Sequence, residues 1–255
     1  MFGIDMNSIN KHIKSIWIFA LLLVLWFGAC RLQLWTSYIL PSPQKVAATA
    51  LSMLQSGELG EAVFISLQRI FLGFSLAFLI SFSLGVGGAL VPGMRPYYER
   101  LLDFIRHVPP LSLIPLLILW AGINEAPKII VIVLASFAPM LLNIDAGLSG
   151  CDVKLLEVGR TLGFTKRKLF QRIMLPYAWP HIFVGLRIGL GYALRAIIGA
   201  EMVAASSGLG YMILDAQTMS RTDKAIVGII AIGLLGLCLD YIMLKTARRL
   251  FPYLE

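Results

Sequence analysis

The chain has 255 residues, of which 58% are hydrophobic and only 14% charged, and its mean hydropathy is +0.81. Soluble domains carry about a quarter charged residues, so this composition excludes an ordinary soluble domain and implies an integral membrane protein. The net charge of +8 fits either a nucleic acid or an anionic lipid surface until the charges are placed along the chain.

A bilayer core requires about 20 mostly apolar residues per helix. Chain order gives six such segments, roughly Ser15–Trp35, Ile65–Val91, Val108–Ile123, Ala126–Gly150, Ile182–Ala205 and Ala225–Leu244. The first follows Lys11 and Lys14 as a secretory leader would, and "FGAC" ends at Cys30. It runs on into "RLQLW" without a small-residue cleavage pattern and five more spans follow, so an uncleaved helix is expected. The next stretch, "LPSPQKVAATALSMLQSGELGEA", opens on a Pro-Ser-Pro turn and carries Val46, Ala50, Leu51 and Leu54 at helical spacing, which predicts an interfacial helix. Pro109, Pro110 and Pro115 crowd the start of the third segment and predict a kinked helix or one extended from Leu101. After the fifth segment, Tyr211–Met219 is too short to span and is expected to be re-entrant, interfacial or a connector. The expected organisation is an N-terminal span with its external segment over 1–64, a core over 65–244 with a cytoplasmic loop at about 151–181, and a cytoplasmic tail over 245–255.

Six spans put both termini on one side. The N-terminus, Pro92–His107, Cys151–His181 and the C-terminal tail hold fourteen Lys and Arg, against five in the opposite loops (Arg31, Lys45, Lys128, Arg221 and Lys224). Because positive residues stay on the cytoplasmic side, both termini are expected there. The acids refine this. The cytoplasmic segments hold six (Asp5, Glu99, Asp103, Asp152, Glu157, Glu255), while the outer loops and the spans are each neutral, so the whole +8 lies on the cytoplasmic face. A nucleic-acid partner is unnecessary.

The longest cytoplasmic connection, "EVGRTLGFTKRKLFQRIMLPYAWP", is ordered beyond what charge sorting requires. Val153–Leu162 suits a helix with Leu155, Val158 and Leu162 on one side. Gly163 permits a bend, and a second helix, Lys166–Met174, gathers Leu169, Phe170 and Ile173 before Pro176 is expected to stop it. Two short helices across a glycine form a knob fit for a groove on a soluble partner.

In this stretch Glu157, Gly163, Ile173, Leu175 and Pro176 reproduce E-x5-G-x9-I-x-L-P, and the chain thereby resembles the permease subunits of bacterial ABC importers that use a substrate-binding protein. Val158 and Gly159 stand where that EAA-loop motif usually has two alanines. "PSPQKV", "SLQRIFLGFSLAFLISFSLGV", "HVPPLSLIPLLILWAGI" and "GLRIGLGYALRAIIGAEMVAASSGLGYMILDA" extend the resemblance over nearly the whole chain, to the subfamily that imports aliphatic sulfonates, taurine, nitrate or bicarbonate, and thiamine precursors. "GAEMVAASSGLGYMILDA" is most similar to the sulfonate and taurine branch.

The resemblance implies an all-α, six-helix type I ABC importer permease in a bacterial inner membrane. Its implied partners are a second copy of the chain, two cytoplasmic ATPases that bind ATP and Mg, an external binding protein and membrane lipid. It further implies that Glu157, Leu162, Gly163, Ile173, Leu175 and Pro176 carry coupling to the ATPase. The chain has no G-x-x-x-x-G-K-[ST] phosphate loop and no readable nucleophile or paired-carboxylate site, so a non-catalytic subunit without a cofactor of its own is expected. Cys30, Cys151 and Cys238 are far apart and His12, His107 and His181 stand alone, so neither a disulfide nor a metal spacing is present. The rival readings are a nitrate, bicarbonate or thiamine-precursor importer of the same fold, and a stand-alone channel or ion-coupled carrier.

Ionisable residues inside spans are candidates for function by default. Asp145, Arg187 and Asp240 lie at similar depth and are expected to pair structurally. Arg195 has two open readings, a donor to a passing anion or a brace to a neighbouring helix. Glu201 lies six residues further on, on another face, and needs a different partner. Gly185, Gly189, Gly191 and Gly199 have the small-residue spacing of close helix packing.

Overall fold

The structure is a computed structural model that describes residues 6–91 and 93–250, with side chains described from residue 17 onward. The expected cytoplasmic charges Asp5 and Glu255, the side chains of Lys11, His12 and Lys14, the residue Pro92 and the end of the tail lie outside the described residues.

The described residues form eleven α-helices and no strand. They divide into two compact units, one of Met1–Gly60 with Met212–Ile230 and one of Glu61–Tyr211 with Ala231–Glu255. In the first unit, α1 (Met6–Arg31) is followed by α2 (Pro43–Gln55), whose N-terminus Ser42 caps by accepting from the Lys45 amide at 3.3 Å. A helix exists where one was expected, but its buried stripe is Val46 and Met53, while Leu51 and Leu54 are exposed. Thr49 donates to Asp223 at 2.8 Å, and Arg221 holds the same carboxylate at 2.9 Å.

The second unit is a bundle of long apolar helices. The helices α3 (Glu58–Leu90), α6 (Glu125–Ser149) and α9 (Leu175–Ala204) surround its core, with α6 and α9 packed along most of their lengths. Ala77, Met140, Ile144, Leu148, Ala178 and Ile182 are buried together. Half of the most apolar stretch of α6 is buried, against 11% of that of α11 (Thr222–Leu250), so α6 is the more enclosed helix. Phe71, Leu79, Leu234 and Leu237 are exposed, the pattern of a surface that meets lipid.

Among the described residues, α3, α6, α11 and the helical run Lys166–Ala204 are each long and apolar enough to span a membrane. The third expected span is broken. The helix α4 (Arg95–Ile105) and the pair formed by a 3-10 turn at Pro110–Leu113 and α5 (Ile114–Ala121) are bent by 84°, and count as a fifth span only if taken together. Pro109 and Pro110 account for the break, since neither offers an amide hydrogen to continue a helix. In α1 the apolar part with described side chains, Trp17–Arg31, is shorter than a span, so six becomes four or five on these residues.

Candidate functional site

The loop between α6 and α9 is built by two capped helices. Asp152 caps α7 (Val153–Thr161) by accepting from the Lys154 amide at 2.9 Å, and Thr165 caps α8 (Lys166–Leu169). Between them Gly163 has φ +71°, a conformation that costs glycine little. The Phe164 amide bonds Gly159 O at 3.0 Å and the Gly163 amide bonds Arg160 O at 2.9 Å, the paired closure of a Schellman motif. The interval between Glu157 and Gly163 thus places Glu157 on the exposed first helix and Gly163 at the turn that ends it.

The two helices differ in which way their apolar residues face. On α8 and the turn after it, Leu169 and Phe170 are buried, Phe170 among Ile144, Leu148 and Ile182. On α7 and at the residue that ends it, Leu155, Val158 and Leu162 remain exposed at 46%, 58% and 67%. Gly159 explains how the helices approach: a Cβ there would lie 2.5 Å from Leu169 Cδ2 and 2.6 Å from Ile173 Cδ1. The glycine that departs from the motif is therefore a packing residue.

The second helix does not stop at Pro176. A π-helical turn, Phe170–Met174, carries it into α9, with Leu175 donating to Phe170 O five residues back. The wider turn relieves the clash between the proline ring and the carbonyl four residues earlier, and Pro176 occupies the first turn of α9, where its missing amide costs little. Leu175 is packed at the core and Pro176 is exposed. The expected break is instead a join between the loop and a membrane helix.

The intramembrane charges sort into separate groups. Asp145 accepts from the Tyr98 hydroxyl at 3.1 Å rather than joining Arg187. Arg187 on α9 makes a fork to Asp240 on α11, with Nη2 at 2.9 Å from Oδ2, and the two side chains are 47% and 41% exposed. Arg195 lies 5.7 Å from the Tyr192 ring centroid, is exposed, and meets no carboxylate at ion-pair distance among the described residues.

Glu201 is fully buried in a network that the sequence reading left unassembled. It accepts from Arg69 Nη1 at 2.9 Å, the Ser66 hydroxyl at 2.8 Å and the Gly210 amide at 2.9 Å. Arg69 also forks onto Glu125 at 2.6 and 2.8 Å and reaches Ser207 O at 2.7 Å and Ser207 Oγ at 3.2 Å, which uses all five of its donors. Lys128 neutralises the second carboxylate by reaching Glu125 at 2.8 Å. Gly208, with φ +105°, must be glycine, because a Cβ would lie 2.4 Å from Glu201 Oε1. The available signal was the i, i+3 pair of polar residues Ser66 and Arg69 inside an apolar run.

Three of the four spaced glycines are close contacts: a Cβ would meet Asn143 at Gly185, Met140 at Gly189 and Leu111 at Gly199, each within 2.7 Å. Gly191 has nothing within 4 Å.

Comparison with known proteins completes the site. The chain is 33% identical over 244 residues to a taurine transport system permease protein of Escherichia coli, covering 94% of this chain and 89% of that one. It is 34% identical over 240 residues to a permease protein of Bacillus subtilis named for aliphatic sulfonates transport, covering 94% and 87%. A nitrate import permease protein of Synechocystis is 31% identical over 242 residues, covering 90% and 86%. The fold matches that of the MetNI methionine ABC transporter in an inward-facing conformation, with a TM-score of 0.60 at 15% identity over 78% of this chain and 97% of that one. It also matches an amino acid ABC transporter crystallised with histidines, with a TM-score of 0.61 at 18% identity over 80% and 98%. Residues 94–252 match the family described as binding-protein-dependent transport system inner membrane component, and this chain, a non-catalytic permease subunit of an ABC transporter, belongs to it.

Proposed function

We propose that two copies of this chain form the membrane pathway of an importer for small organic sulfonates, taurine among them, driven by two cytoplasmic ATPases that bind ATP and Mg and supplied by an external binding protein. The observation that carries the substrate class is the end-to-end similarity to the taurine and aliphatic sulfonates permeases. The chain lacks a phosphate loop, so ATP is handled by a partner. One docking loop per chain, facing a pair of equivalent ATPase grooves, favours a twofold homodimer.

The coupling role rests on the two faces of the loop. The exposed stripe of Leu155, Val158 and Leu162 is available to a soluble partner, while the buried face of α8 and its unbroken run into α9 tie the loop to a membrane helix. ATP shifts the inward and outward states only by favouring the ATPase geometry coupled to one of them. Glu157, Leu162, Gly163, Ile173, Leu175 and Pro176 build this lever. With the loop on the cytoplasmic side, both termini are cytoplasmic.

The nitrate relative keeps a second reading open, an inorganic anion importer of the same build. The experiment is a thermal shift of the cognate binding protein with ethanesulfonate, taurine, nitrate and a thiamine precursor. Stabilisation by a sulfonate supports the proposal; stabilisation by nitrate or the thiamine precursor with none by any sulfonate contradicts it. A stand-alone channel or ion-coupled carrier predicts uptake that survives Glu157→Lys and removal of the ATPase.

A further inference from the structure

Arg187, Gly191 and Arg195 occupy one face of α9 at intervals of four residues. The two guanidinium-bearing positions are thus two turns, about 12 Å, apart along the helix, with Gly191 between them on that face and Leu190 and Leu194 alongside. They line a cavity of about 240 Å³ whose far wall is Gly236, Leu239 and Asp240 of α11. A second opening, lined by Val184, Ile188 and Tyr192, shares Arg187, Gly191, Arg195 and Asp240 with it.

Three observations assign this cavity. Its charged residues are exposed, with Arg187 and Asp240 near half exposure, yet they belong to membrane-spanning helices, and ionised groups at such positions face water or protein rather than lipid. Its charge does not cancel: Asp240 neutralises Arg187 through the fork, which leaves the Arg195 charge without a carboxylate partner among the described residues. Its floor is a glycine that packing does not demand, since a Cβ at Gly191 would meet nothing within 4 Å, unlike those at Gly185, Gly189 and Gly199. Packing therefore explains three of the four glycines, and open space explains the fourth.

We infer that the cavity over Gly191 is a wet way-station for one small monovalent oxoanion, a sulfonate or an anion of like geometry, with Arg195 as its recognition residue. The planar guanidinium offers paired donors to two oxygens of such a head group. The single uncompensated charge matches a single negative charge. Asp240 keeps Arg187 from acting as a second anchor, so the anion is held by one arginine and leaves readily, as transport requires. This inference rests on the importer reading, but its test separates the two.

In the intact permease–ATPase complex, with Cys30, Cys151 and Cys238 replaced by Ser, Gly191→Cys is labelled with two thiol reagents of equal size, one ending in a sulfonate and one in a quaternary ammonium. The anionic reagent is expected to react about tenfold faster, because the local field concentrates anions. Ethanesulfonate at high concentration slows it, and Arg195→Gln abolishes the preference while Arg195→Lys retains part of it. No labelling by either reagent, equal rates, or faster reaction with the cation would overturn the inference. In parallel, uptake of ethanesulfonate and of nitrate is measured for Arg195→Gln and Gly191→Leu in complexes that still co-purify with the ATPase. Loss of at least tenfold for whichever anion the unsubstituted complex carries supports the site, and uptake within twofold of unsubstituted overturns it. An unsubstituted complex that imports nitrate alone revises the substrate and leaves the site standing. One that imports neither anion removes both.

Discussion

Arg69 donates to the fully buried carboxylate of Glu201 at 2.9 Å while its other edge clasps Glu125 at 2.6 and 2.8 Å, so one guanidinium joins three parts of the bundle, α3, α6 and the end of α9. Removing Arg69 strands the fully buried Glu201 carboxylate, and removing Glu201 leaves Arg69 and Lys128 sharing the single carboxylate of Glu125. Arg69→Met or Glu201→Met is expected to cost about 3–5 kcal/mol, the penalty for an uncompensated buried charge. The double variant Arg69→Met with Glu201→Met is expected to be more stable than either single one, since the coupling lies in the pair. Thermal unfolding of the detergent-solubilised protein measures this. Additive single effects would show that the contact is energetically unimportant.

Gly159 provides a graded test of the loop. An alanine there adds about 1 kcal/mol of helix propensity and displaces only the flexible ends of Leu169 and Ile173, so Gly159→Ala is expected within about 1 kcal/mol of the parent. Gly159→Val overpacks the contact and is expected to cost about 1–3 kcal/mol and to reduce ATPase co-purification. Equal behaviour of the two variants would contradict the close approach of the two loop helices.

The Arg187 and Asp240 fork predicts a repair. Asp240→Ala leaves Arg187 as a second unpaired positive charge beside Arg195 in the same cavity, and a lower yield of folded protein in the membrane is expected. Adding Arg187→Gln restores the yield by removing the stranded charge. A yield unaffected by Asp240→Ala would mean that the pair contributes nothing to assembly.

Cys151, at the junction of α6 and α7, is buried, and burial, helped by the neighbouring Asp152 carboxylate, pushes its thiol up from the ordinary range. The thiolate is the reactive form and is scarcer at a given pH when the pKa is raised. Iodoacetamide labelling at pH 7.5 is therefore expected to be slower than for a free thiol and to accelerate as pH rises beyond the ordinary thiol range. Rapid labelling at pH 7.5, measured by mass spectrometry, would place Cys151 in solvent.

The long spans were legible because apolar runs and caps are local signals: α3, α6, α9 and α11 each overlie an expected segment. The loop was legible in part. The bend at Gly163 followed from residue type, whereas the continuity through Pro176 did not, because a π turn is chosen by the packing of Phe170 and Leu175 into the core and not by the local sequence. The charge pairs were least legible. Depth along the helices allowed Asp145 to join Arg187, but Tyr98 on α4 takes it, and the bend that brings α4 to α6 leaves no periodic trace. Ser66 and Arg69 share a face in the sequence; that Glu201 is opposite follows only from how α3 packs on α9.

The central claim is that the exposed face of α7 transmits ATP-driven motion, and it is tested by Leu155→Asp combined with Val158→Asp. Both residues are exposed, so the fold is expected to persist with an unchanged unfolding temperature. The measurement is the fraction of permease that co-purifies with its ATPase from membranes. The account predicts that this fraction falls at least tenfold, about 1.4 kcal/mol or more of docking energy. Undiminished co-purification together with undiminished ATP-dependent uptake would contradict it.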